Sequence, residues 1–123
     1  MRGFRVWSNY WKKYATEAEL YMDGSADAVF EDDDGVPHHE NTDIVVEFKT
    51  GLKDKNDKEI HEGDIVAYDY GFGTYVVTYR RYDASFILED DNREETLILL
   101  LSGHIYYEVI GNIHENIKLL EEE

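Results

Sequence analysis

Carboxylates and imidazoles crowd into one stretch of this chain, Asp32-Asp33-Asp34-Gly35-Val36-Pro37-His38-His39-Glu40. Hard carboxylate oxygens suit calcium or magnesium, and imidazole nitrogens suit zinc. The spacing fits neither. A helix–loop–helix calcium loop needs glycine at its sharp turn, and with Gly35 in that place Phe30 falls on the first ligand position. Starting at Asp54 instead puts Glu59 where the glycine belongs. The adjacent pair His38-His39 lacks the i, i+4 separation that aims two imidazoles at one ion from a helix. No metal site and no cofactor is expected, and residues 31–42 read as an acidic surface loop.

Covalent catalysis has less to work with. There is no cysteine and no G-x-S-x-G, and the carboxylates are too numerous to single out a pair. Glu62 and Asp64 could be imagined as acid and base, but a turn entering the strand Ile65-Val66 explains them more simply. No catalytic residue is assigned, and the chain is expected not to be an enzyme.

Charge narrows the partners. Twenty-eight acidic residues against twelve basic ones give a net charge of −16. Such a field repels phosphate backbones, which disfavours direct nucleic-acid binding. It suits solubility, a basic protein partner, divalent cations, or carboxylates standing in for phosphates. The charges available to such a mimic are Glu31 to Asp34, Glu89 to Asp91 with Glu94 and Glu95, and the tail Glu121 to Glu123. The longest apolar run, Leu97 to Leu101, is far short of the ~20 residues that span a bilayer, and the N-terminus carries no apolar leader segment. Without cysteine there is no disulfide framework, so a cytoplasmic setting is expected.

At 123 residues the chain is expected to form one domain, 1–123, with a single core and a frayed tail at 121–123. Ten tyrosines against one proline lean toward strands. Phe4 to Trp7 alternates as a short strand. Leu20-Tyr21-Met22 and Ala28-Val29-Phe30 flank Asp23-Gly24, a hairpin signal. Asp43 to Thr50 alternates with Ile44, Val46 and Phe48 on the expected buried side and Val45, Glu47 and Lys49 on the other. Polar turn residues from Gly51 onward reverse the chain at Glu62-Gly63-Asp64 into a strand over Ile65 to Tyr70. Thr74 to Tyr82 pairs back across Gly71-Phe72-Gly73, and Phe86 to Glu89 follows. Asn92 with Glu95 resembles a capping box, and Leu97, Leu100 and Leu101 at helical spacing predict a short helix ending near Gly103, with a buried strand as the competing reading. Ile105 to Ile113 is strand-like with a bend at Gly111-Asn112, and Asn116 to Leu120 forms about one helical turn. Short strands with glycine corners and little helix predict a mainly β protein, a small antiparallel SH3-like barrel or a strongly bent sheet with one or two short helices.

Small barrels carry function on loops and exposed sheet edges, and an edge can accept a partner strand. The candidate binding residues are Tyr68, Tyr70 and Phe72 beside the glycine turn; core packing or an interface between copies is the simpler account of aromatics in a small barrel. The aromatic surplus is also compatible with a homo-oligomer.

Three blocks resemble the YopX family of phage and prophage proteins: Phe4-Arg5-Val6-Trp7; Thr50 to Asn56 leading to Glu59-Ile60-His61-Glu62-Gly63-Asp64-Ile65-Val66; and Glu108-Val109-Ile110-Gly111-Asn112-Ile113-His114-Glu115-Asn116 followed by Leu119-Leu120. They span essentially the whole chain. The family often has an aromatic residue where His61 and His114 stand and a proline where Ile117 stands. The resemblance implies a small, mainly β domain and supplies no catalytic residue. Its motif positions Trp7, Gly51, Leu52, Asp54, Gly63, Asp64, Gly111 and Asn112 are expected to be structural. The expected role is a non-enzymatic interaction or assembly module; an acidic DNA mimic directed at a host nucleic-acid-binding protein is the alternative.

Overall fold

A computed structural model describes residues 3–68, 74–80, 84–89, 95–98 and 107–121. Its elements in chain order are β1 (Phe4–Ser8), β2 (Lys13–Tyr14), β3 (Glu17–Leu20), β4 (Ala26–Glu31), β5 (Pro37–Glu40), β6 (Ile44–Lys53), β7 (Glu59–His61), β8 (Asp64–Tyr68), β9 (Thr74–Arg80), β10 (Ser85–Glu89), β11 (Glu95–Ile98), β12 (Tyr107–Asn112) and α1 (Lys118–Glu121). Pairing is antiparallel throughout the described ladders. The expected mainly β architecture holds, with one strongly curled, half-barrel sheet and, among the described residues, one short helix.

The chain divides into two compact units, Met1–Phe48 and Lys49–Glu123. In the first, β1 pairs with β2 and with the opening half of β6, in register from Phe4↔Phe48 to Ser8↔Ile44. A separate three-stranded sheet has the order β3-β4-β5. Val6 from one sheet and Ala28 and Phe30 from the other close a core with Ala15, flanked by Trp11, Ala18, Ile44 and Val46. The alternation in β4 is clean: Ala26, Ala28 and Phe30 are buried, while Asp27 and Val29 face the other way.

Two expectations change in this unit. The stretch 31–42 is not all loop, because Asp32 turns the chain and β5 pairs with β4 from Ala28↔Glu40 to Glu31↔Pro37. The Asp32 carboxylate accepts the N–H groups of Asp34 and Val36, both at 2.9 Å, so the acidic run supplies a turn. In β6 the buried side reverses midway along the strand. Phe48 is 45% exposed while Glu47 is 2% exposed. The Glu47 carboxylate accepts from Arg5 Nε and from the Tyr14 hydroxyl, both at 2.9 Å, and the Arg5 guanidinium lies over the Tyr14 ring. A buried charge with two donors is tolerated where a lone one would be expelled.

In the second unit the sheet order is β11-β10-β9-β8-β12. Ile60, Val66, Val77, Leu88 and Tyr107 form the main core, joined by Leu52 and Tyr68. Adjacent residues of a strand face opposite ways, so Ile65 and Val76 lie on the other side, where Leu120 from α1 covers them. Residues 95–98 form a strand, not the expected helix: Leu97 and Ile98 register with Leu88 and Ile87. Pairing to β10 outweighs the helical spacing of three leucines, which is a weak local preference; residues 99–103 lie outside the description. The expected bend near the end of β12 is real. Its register with β8 shifts between Val109 and Gly111, and a Cβ at Gly111 would sit 2.5 Å from Asn116 Oδ1.

The buried Asp54 closes the turn between β6 and β7 and fastens it to β12. Its Oδ1 accepts the N–H groups of Asn56 and Lys58 at 2.9 Å each, and its Oδ2 accepts Val109 N–H at 2.8 Å. Burial pushes this carboxyl's pKa up, but the Val109, Lys58 and Asn56 donors outweigh it and hold the group below the usual carboxylate range. With the folded value depressed, Asp54 stabilises the protein fully above the unfolded value of about 3.9, and the gain disappears as pH falls through the folded value. Asp54→Asn should therefore cost about 1–3 kcal/mol near neutral pH, because an amide presents N–H to backbone N–H. Urea denaturation at pH 7 and at low pH checks this: the gap between wild type and variant should narrow in acid, and equal stabilities at pH 7 would contradict it.

Candidate functional site

The outer face of the β3-β4-β5 sheet forms an open hollow of about 610 Å3. Strand periodicity builds it. Glu17 and Glu19 alternate with Ala18 and Leu20 in β3, so both carboxylates lie on one face. Across the ladder Glu17 registers with Val29, and Val29 with His39, while Glu19 registers with Asp27. Six of these seven residues, with Leu20 outside, line the hollow together with Thr16: Glu17, Ala18, Glu19, Asp27, Val29 and His39.

Glu19 opposite Asp27 is a like-charge cross-strand pair, which by itself destabilises a sheet. Tyr21 bridges it. Its hydroxyl lies 2.6 Å from Asp27 Oδ2 and 3.1 Å from Glu19 Oε2. The Asp27 hydrogen bond, followed by that to Glu19, raises the Tyr21 pKa well above its ordinary value. Glu17, Glu19 and Asp27 have no ion pair among the described residues. The hairpin tip that carries Tyr21 is held by Asp23, whose Oδ1 accepts Ser25 N–H and Oγ–H, with Gly24 at φ 91.

Tyr68 is half-buried, its ring 4.9 Å from that of Tyr107 against the main core. Burial, then Tyr68 and Tyr75, pushes the Tyr107 hydroxyl upward. Tyr70 and Phe72 lie outside the described residues. The acidic loop brings Asp32 to His38 at 2.9 Å, and His38 lies against Trp11, whose indole N–H donates to Glu40. Among the described residues no three His, Asp or Glu side chains converge as metal ligands.

The motif positions occupy joints of the fold. Trp7 is buried with its ring edge-on to Tyr14. Gly51 takes φ 87, and Leu52 packs on the main core. Gly63 takes φ 86, donates to the Val77 carbonyl and accepts from Ile113 N–H. Asp64 is buried and accepts His61 N–H at 2.7 Å. Asn112 Oδ1 accepts the N–H groups of His114 and Glu115, and Asn116 Oδ1 accepts Asn112 N–H, beside Gly111.

Sequence reasoning passed over Glu17, Glu19 and Asp27. A signal was available: folding the hairpin about Asp23-Gly24 sets Glu19 against Asp27, a conflict that local sheet chemistry does not explain.

The structure thus defines a small antiparallel β protein with one carboxylate-lined sheet face and, among the described residues, no helix long and apolar enough to cross a membrane. The chain belongs to the YopX protein family, whose sequence model matches residues 3–121. It is similar to the crystal structure of protein EF1440 from Enterococcus faecalis, with 29% identity, a TM-score of 0.67 and 96% of each chain covered. It is also similar in fold to protein yopX from Bacillus subtilis, with 18% identity, a TM-score of 0.59, and 97% of this chain and 98% of that one covered. No curated protein matches the chain.

Ultraviolet titration tests the bridge at the site. Wild type and Tyr21→Phe should develop equal tyrosinate absorbance around the ordinary tyrosine value of about 10, and should differ only at more alkaline pH. A deficit of about half a tyrosinate in the variant at pH 10 would mean that the bridge does not form.

Proposed function

We propose that this chain is a non-enzymatic interaction module whose working surface is the hollow on the outer face of the β3-β4-β5 sheet, and that it takes a basic segment of a protein partner. The observation that carries this reading is the pair Glu19 and Asp27 in direct cross-strand register, with Glu17 beside them and no cation paired to any of the three among the described residues. Like charges placed this way cost folding stability, and an incoming Lys or Arg relieves the cost. The contact is exposed, so charge governs association rate and partner choice more than raw affinity, and salt weakens it. In the phage or prophage setting that the resemblance implies, the partner is a host protein with a basic surface.

The mimic reading uses the same carboxylates as stand-ins for phosphates. It differs in the partner, a nucleic-acid-binding protein that duplex DNA would displace.

Capture from bacterial lysate separates these readings. Wild-type protein should retain a basic partner at low salt and release it at high salt. The triple variant Glu17→Gln, Glu19→Gln, Asp27→Asn should retain at least about tenfold less, the equivalent of about 1.4 kcal/mol. Release by added duplex DNA would select the mimic. A partner held equally by the triple variant would move the docking surface elsewhere and overturn the proposal.

A further inference from the structure

The same sheet has two outer edges that differ. Tyr21 N–H donates to the Ser25 carbonyl at 2.8 Å, which makes these two a hydrogen-bonded pair at the end of the β3-β4 ladder. Antiparallel ladders alternate, so Glu19↔Asp27 and Glu17↔Val29 are the next such pairs. The backbone N–H and C=O groups of Ala18 and Leu20 therefore point out of the sheet, and they have no hydrogen-bond partner among the described residues. On the opposite edge, Asp32 N–H donates to the Val36 carbonyl at 3.0 Å, so the same alternation turns the backbone of Pro37 and His39 outward. Proline has no N–H to offer, and one at an outward position blunts an edge against pairing. The β5 edge is blunted in this way, while β3 carries neither a proline nor a register shift along its pairing with β4.

We propose that β3 accepts a fourth, antiparallel strand, an extended basic segment of the partner. This rests on the reading of the outer face as the docking surface and adds how the partner lies on it. Residues directly opposite across an antiparallel pair share a face. The incoming segment thus places Lys or Arg opposite Glu17 and Glu19 on the carboxylate-lined side, and apolar residues opposite Ala18 and Leu20. Main-chain bonds to Ala18 and Leu20 supply the attachment and the alternating cations supply the selectivity. A second copy of β3 is excluded as the occupant, because antiparallel self-pairing in this register sets glutamates against glutamates in a chain of net charge −16.

The pairing pattern makes a sharp test. Residues opposite Ala18 and Leu20 direct their N–H groups at β3, whereas residues opposite Glu17 and Glu19 direct theirs away. A short synthetic peptide of alternating valine and lysine is titrated calorimetrically into the full chain at low salt in three forms: unmodified, N-methylated on the valines, and N-methylated on the lysines. Methylation of the valines should weaken binding about tenfold or more, and methylation of the lysines should leave it within about threefold. Amide exchange should slow at Ala18 and Leu20 when the unmodified peptide is bound. If both methylated peptides bind as well as the unmodified one, the segment is held by charge alone; strand addition is then overturned while the basic-partner reading stands. If no form binds, the basic-partner reading of this face fails with it.

Discussion

A single buried carboxylate holds the second unit's connections in place. The two oxygens of Asp54 take three backbone N–H groups, two from its own turn and one from Val109 on β12. Lys55 N–H donates to the Tyr107 carbonyl beside it. The turn between β6 and β7 thereby lies along β12, the outer strand of its sheet, and supplies partners to an edge that would otherwise be open. Tyr107, one residue of the main core, is carried on that strand, so the position of the core depends on the turn. An acceptor with three donors cannot be exchanged for a group that also donates, which is why carboxylate chemistry belongs at this position.

The acidic character of the chain therefore has more than one meaning. Glu47, Asp54 and Asp64 are buried, and each accepts hydrogen bonds that locate a strand or a turn. Asp23 and Asp32 close hairpin turns with their side chains. Glu17, Glu19 and Asp27 do neither. They share an exposed face, and the contact that restrains two of them is a neutral phenol. A net charge describes solubility and association in general; which carboxylates remain open to a partner depends on what each one already holds.

The two edges of the three-stranded sheet extend the contrast. Pro37 removes a donor on one side, and the exposed glutamates of β3 oppose pairing with an identical strand on the other. Charge at an edge is a selective form of protection, since it repels a like-charged strand and admits an oppositely charged one. The YopX relationship fits a fold in which glycines and buried acids fix the corners, while the exposed carboxylates of β3 and β4 lie outside the three motif blocks.

Most of the strands were legible from the chain itself. Alternation in Phe4–Trp7, Asp43–Thr50 and Thr74–Arg80, the Asp23-Gly24 turn and the bend at Gly111 depend on neighbours in sequence, so local pattern determined them, along with the mainly β class. Three features depended on partners distant in sequence. Residues 95–98 are strand because β10 offers a ladder; Glu47 is buried because Arg5 and Tyr14 meet it from β1 and β2; β5 forms because Asp32 first turns the chain back onto β4. The candidate site belongs to the same category. Composition determined that the chain is acidic, but only the register that sets Glu19 against Asp27 made an open, like-charged face, because cross-strand neighbours are chosen by the fold and not by adjacency in the chain.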